Sequence, residues 1–97
     1  MQITNICGEE YYRVDNVYEF IALCNNKKKC IFCMEFFELK GEQVVPCEYL
    51  QSIDSAELFD EKNSVNKNVE LCNDFVKKCI DKCYNKMEGM YFSVLLE

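Results

Sequence analysis

The chain has 97 residues, 49% apolar and 13% aromatic, with 11 Lys plus Arg against 17 Asp plus Glu and a net charge of −6. That length holds one core, and the apolar content lies far above that of a disordered chain, so a single compact domain spanning 1–97 is expected. Histidine is absent, which excludes imidazole bases, Ser-His triads and His-containing metal sites, and the length leaves no room for a separate substrate domain.

Residues 2–7 and 11–14 are short β-branched and aromatic runs separated by Gly8-Glu9-Glu10, a pattern that predicts a hairpin. Asp15 is a candidate cap for a helix running through Cys24, because Val17, Phe20, Ile21 and Cys24 fall at i, i+3, i+4 and i+7. Asn25-Asn26 should end it. Cys30 to Leu39 is apolar on both alternating faces and reads as a central strand. Lys40-Gly41-Glu42 is a turn, and Gln43 to Leu50 should return as a strand whose Pro46 confines it to an edge or a bulge. Asp54-Ser-Ala-Glu57 has the spacing of a capping box opening a short helix over Leu58 and Phe59. Ser64 should cap a longer helix from Val65 to about Glu88, with an apolar stripe of Val69, Cys72, Val76, Cys79 and Cys83 and Gly89 at its C′ position. Met90 to Leu96 closes the chain as a strand of high β-propensity. The order ββαββ(α)αβ predicts an α+β fold, a small mostly antiparallel sheet of about five strands with helices on one face.

Met1 to Glu10 has neither a basic start nor a long apolar run, and no stretch of 18 apolar residues occurs, so neither secretion nor membrane insertion is expected and a cytoplasmic location is. The eight cysteines are therefore expected to be reduced thiols. Two pairs, Cys30-Ile-Phe-Cys33 and Cys79-Ile-Asp-Lys-Cys83, suggest a four-thiolate metal site or a thiol-redox site. Against both, a strand puts Cys30 and Cys33 on opposite faces, and the CxxC follows a helix instead of opening one. Core packing, with at most two cysteines accessible, is the plainer expectation, and no metal or cofactor is assigned.

Charge is distributed unevenly. From Glu42 to Glu61 there is no Lys or Arg but six acids, Glu42, Glu48, Asp54, Glu57, Asp60 and Glu61, interleaved with Tyr49, Leu58 and Phe59. Glu42, Glu48, Tyr49, Asp54, Glu57, Phe59, Asp60 and Glu61 form the candidate partner-binding set, suited to steering toward a basic surface. A solvated rim with two helix-cap acids is the plainer alternative. Lys27 to Lys29, and Lys78, Lys82 and Lys86, are two basic clusters, but on a chain with pI near 4.7 direct nucleic-acid binding is disfavoured.

In size, acidity, Lys/Asn bias and absence of catalytic motifs, the whole chain resembles the small proteins by which phages and mobile elements block host defence, anti-CRISPR proteins among them. No residue motif carries that likeness. It implies a non-catalytic inhibitor whose protein partner has a basic surface, such as a nucleic-acid-binding effector. The alternatives are a metal or redox domain built on Cys30, Cys33, Cys79 and Cys83, and a homo-oligomeric scaffold component, a homodimer for example, joined through the long helix's apolar stripe.

Overall fold

A computed structural model describes residues 1–97. The elements are β1 (Ile3–Ile6), β2 (Glu9–Arg13), α1 (Val17–Asn26), β3 (Ile31–Lys40), β4 (Gln43–Pro46), β5 (Ile53–Asp54), α2 (Val65–Cys83) and β6 (Tyr91–Leu96). The sheet is antiparallel throughout in the order β1-β2-β6-β3-β4, and the two-residue β5 also pairs with β3. This is the small α+β fold expected, with β3 as its central strand.

The turns explain the registers. Cys7 and Gly8 both have positive φ, 52° and 83°, as a two-residue type I′ turn requires. The first hairpin therefore turns at Cys7-Gly8 instead of Gly8-Glu9-Glu10, so its second strand starts two residues earlier than expected, and Glu9 and Glu10 pair as strand residues with Ile6 and Asn5. At the second hairpin Gly41 (φ 63°) takes the first central position between the paired Lys40 and Gln43. Beyond it β4 ends at Pro46 on the sheet edge, whereas a strand through Leu50 was expected. Pro46 sits where a strand N–H would point away from β3, and the Cys47 N–H makes the last ladder bond to the Phe36 carbonyl at 3.0 Å. The chain then bows outward, burying Cys47 and Leu50, before β5 rejoins β3 opposite Cys33 and Met34.

Several helix boundaries differ from the expected ones. Asp15 lies inside a 3₁₀ turn (Val14–Asn16) and pairs with Arg13 at 3.2 Å, so it caps nothing, and α1 begins at Val17. The capping box at Asp54 does not close: Asp54 Oδ1 accepts from the Ala56 N–H (3.0 Å), and only a 3₁₀ turn, Ala56–Leu58, follows. Ser64 does cap α2, its Oγ accepting from the Lys67 N–H at 3.1 Å. The helix ends at Cys83, not near Glu88, and a 3₁₀ turn (Tyr84–Lys86) follows.

Both helices pack on one face of the sheet. Val17, Phe20, Ile21 and Cys24 of α1 meet Val76 and Ile80 of α2, Met34 and Phe36 of β3, and Phe92 of β6 in one core. Tyr12 extends it, stacked on Phe92 with ring centroids 5.3 Å apart. The stripe of α2 is offset from the expected one: Asn73, Ile80 and, past the helix, Met87 are fully buried, while Cys79 and Cys83 are half-buried at its margin. That face rests on the chain's own sheet. A second cluster of Cys30, Val69 and Cys72 is closed by Phe32 and Phe59. Phe32 is the extra residue where the β3–β6 register shifts between Ile31 and Cys33.

Asn73, 1% exposed, joins three elements. Its Oδ1 accepts from the Ile31 N–H at 2.8 Å, and its Nδ2 donates to Asn25 Oδ1 (2.8 Å) and the Lys29 carbonyl (3.0 Å). Asn73→Ala should lower stability by about 2–4 kcal/mol, because truncation strands the buried Ile31 N–H and removes the donor of the part-buried Lys29 carbonyl. Urea unfolding monitored by circular dichroism measures it.

The α1 end between these contacts is a Schellman motif. The Lys29 N–H donates to the Cys24 carbonyl (2.9 Å) and the Lys28 N–H to that of Asn25 (3.3 Å), with Lys28 left-handed at φ 58°. A left-handed non-glycine residue costs about 1–2 kcal/mol, and glycine's extra freedom in the unfolded chain costs about 0.5–1. Lys28→Gly should therefore stabilise the fold by about 0.5–1 kcal/mol, read from the same unfolding curves.

Candidate partner-binding surface

The acidic segment runs along one edge of the sheet. Glu42 lies in the β3–β4 turn, Glu48 and Tyr49 on the bowed loop, Asp54 in β5, and Glu57, Asp60 and Glu61 beyond it. Because β4 pairs with the Lys40 end of β3 and β5 with its Cys33 end, Glu42 and the Glu57–Glu61 group are on the order of 20 Å apart at 3.3 Å per residue. The carboxylates thus form a line and not a cluster. All six are exposed, and none belongs to an ion pair, the three pairs of the molecule being Arg13–Asp15, Lys40–Glu38 and Lys67–Glu70.

Local hydrogen bonds fix part of this edge. Asp60 Oδ1 accepts from the Lys62 N–H (2.9 Å), and the buried Asn68 clamps Asp60 from α2, accepting from its N–H (3.1 Å) and donating to its carbonyl (2.9 Å). Buried Ser55 ties the preceding turn to β3, its N–H donating to the Phe32 carbonyl at 2.9 Å and its hydroxyl to that of Ile31. Phe59 is half-buried and edge-on to Phe32 at 5.2 Å, so it packs the second cluster. Tyr49 (61% exposed) and Leu58 (38%) are the open apolar groups of the segment.

A feature the sequence reading missed is a groove of about 560 Å³ between the bowed loop and the C-terminal half of α2, with Tyr49, Ile53, Asp54, Phe75, Lys82 and Lys86 among its lining residues. Phase along α2 was the available signal. Phe75 falls off the buried stripe and is 39% exposed, on the side where Cys79, Lys82, Cys83 and Lys86 follow.

The cysteines are distributed, not gathered. Cys30 is buried against Cys72 and Val69, Cys33 is half-buried in β3, and Cys79 and Cys83 border the groove. No three Cys, Asp or Glu side chains are grouped so as to hold a metal ion. Four cysteines (Cys24, Cys30, Cys47, Cys72) are buried, Cys33, Cys79 and Cys83 are half-buried and Cys7 is exposed, against the expectation of at most two accessible thiols. All eight are free thiols.

Burial raises the Cys24 thiol from 9.0 to about 11 despite nearby Lys27. It also raises Cys30, Cys33, Cys72 and Cys83. Tyr18 is held at about 12 by the hydrogen bond its hydroxyl donates to Asp81 at 2.6 Å, with burial contributing. The unfolded chain therefore loses these protons at lower pH than the folded one. Stability from them is complete below pH 9 and falls as pH rises through the folded value of about 11. The urea midpoint should decline across that range, and Cys24→Ala should flatten the decline whatever its effect on the midpoint at pH 7.

No family model, no curated protein and no solved structure matches the chain. No helix is long and apolar enough to cross a membrane.

Proposed function

We propose that the chain is a protein-binding module without catalysis of its own, and that it docks on a basic surface through the edge from Glu42 to Glu61. The observation that carries this reading is the state of the six carboxylates, exposed and without a cation along the segment. Unpaired carboxylates retain their field, and a line of them along one border of the sheet attracts an extended basic surface more than it does a single cation. Tyr49 supplies an aromatic side chain of the kind that anchors interfaces once water is displaced. In the form implied by the likeness to anti-defence proteins, the partner is a host nucleoprotein, and the carboxylates stand where nucleic-acid phosphates would bind.

Glu48, Glu57 and Glu61 make no side-chain hydrogen bond and no ion pair, so they are the cleanest positions for a test. The triple variant E48K/E57K/E61K changes the local charge by six units (three reversals of two) with little expected effect on folding, which a thermal melt checks. With a partner recovered by affinity capture from the source cell and identified by mass spectrometry, the variant's association rate should fall at least about tenfold at low ionic strength. The salt dependence of the remaining binding should flatten. An unchanged rate and salt slope would remove the acidic edge from the interface.

A further inference from the structure

On the other side of the sheet centre, β2 and β6 pair only at Tyr12 with Phe92 and Arg13 with Tyr91, and the Val14 N–H reaches the Met90 carbonyl at 3.0 Å. Past Tyr12 and Phe92 the strands part. Glu9 to Tyr11 remain paired with β1, and Ser93 to Leu96 remain paired with β3, but not with each other.

Ladder alternation identifies the backbone groups left over. Glu97 and Cys30 exchange hydrogen bonds at 2.9 and 3.1 Å, so Glu97, Leu95 and Ser93 direct their N–H and C=O toward β3. Leu96 and Val94 direct theirs the other way, in series with Phe92 and Met90, which meet β2 and Val14. From β6, two N–H and two C=O groups therefore face an open wedge, and across it Glu10, whose pair with Asn5 is a non-hydrogen-bonded one, directs its own N–H and C=O into it. The wedge is a cleft of about 430 Å³ lined by Glu9, Glu10, Tyr12, Ser93, Val94 and Leu96. Leu95 and Leu96 beside it are 63% and 40% exposed. Its charged wall is negative: Glu9 and Glu10 are exposed and belong to no ion pair, accepting only from the Tyr11 (3.4 Å) and Tyr12 (3.1 Å) hydroxyls.

We infer that this cleft receives an extended segment of a partner protein as an added strand beside Val94–Leu96, one in which apolar residues alternate with Lys or Arg. The open ladder supplies up to four main-chain hydrogen bonds, Leu95 and Leu96 supply apolar contact, and Glu9 and Glu10 select cationic side chains. A second copy of this chain fits less well, since it would bring its own Glu9, Glu10 and Glu97 into the same wedge.

The test is amide hydrogen exchange on ¹⁵N-labelled protein titrated to millimolar concentration with acetyl-(Lys-Val)₃-amide. Exchange at Val94 and Leu96 should slow at least tenfold while Ser93 and Leu95, already bonded to β3, change little. An acetyl-(Glu-Val)₃-amide control should give no protection. L96P deletes one edge donor without removing a β3 ladder bond and should weaken binding at least fivefold. If that variant is perturbed, a peptide N-methylated throughout tests the same bonds from the other side and should fail to protect. Unprotected Val94 and Leu96 amides at saturating peptide overturn the proposal, and equal protection by the Glu peptide overturns its charge selection. Protection that grows with protein concentration alone assigns the wedge to a second copy and overturns the partner assignment. E48K/E57K/E61K should leave peptide binding unchanged, which separates this site from the acidic edge.

Discussion

The fold turns on the carboxamide of Asn73. A helix end and a strand start both leave backbone groups without partners in their own element, and here the two lie together, the Lys29 carbonyl leaving α1 and the Ile31 N–H entering β3. One Asn offers an acceptor for the second and a donor for the first, with a further donor for Asn25. An aliphatic residue of the same size on α2 would fill the volume and leave both groups unpaired. Desolvation of those groups makes the arrangement specific, because only one rotation of α2 about its axis brings the amide to the joint. That rotation puts Val69, Cys72, Val76 and Ile80 against the sheet and leaves Phe75 outside.

With α2 fixed, the acidic edge acquires its shape. Ser55 and Asn68 hold the chain after β5 to β3 and α2 through hydrogen bonds, and Phe59 seals the small cluster beneath. The backbone that carries Asp54 to Asp60 is therefore held at both ends, and binding there would forfeit side-chain more than backbone entropy. The spread of the carboxylates along β3 follows from the bowed loop. A continuous strand from Gln43 to Leu50 would have kept the segment flat against β3, but the pairing ends with the bond from the Cys47 N–H to the Phe36 carbonyl, and Cys47 and Leu50 turn into the core. Glu48 and Tyr49 are left at the apex.

Strand and helix order were legible because the apolar periods are clear. Val17, Phe20, Ile21 and Cys24 repeat as a helix face, and Cys30 to Leu39 is apolar enough to read as an interior strand, flanked by β6 and β4, although only its Met34 and Phe36 side is buried while Cys33, Glu35 and Phe37 on the other are half-buried or exposed. What local pattern did not give were features decided by neighbours. The stripe on α2, read through Cys79 and Cys83, is displaced in the fold because Asn73, a polar residue, is drawn inside by its bonds to Asn25, Lys29 and Ile31. The Asp15 and Asp54 caps failed for a local reason: each acid is engaged by its own neighbourhood, Arg13 in one case and the Ala56 N–H in the other. Of the candidate site, the run of unpaired acids was visible in the sequence. Its linear arrangement, the burial of Phe59 and the groove beside Phe75 needed the tertiary contacts.

The sheet's exposed strand borders are protected unequally, and that contrast places its two candidate surfaces. The β4–β5 border carries Pro46, a break in pairing and a line of like charges, each of which discourages a flat strand from adding there. Such a border suits contact through side chains. The wedge between β2 and β6 lies inside the sheet and has no proline, and Val94 and Leu96 keep regular strand geometry beside it. Only the carboxylates of Glu9 and Glu10 guard it. Those repel acidic strands, including other copies of this acidic chain, while leaving basic ones free to enter. The same excess of carboxylates that steers one border toward basic surfaces thus acts at the wedge as a filter on which backbone is admitted.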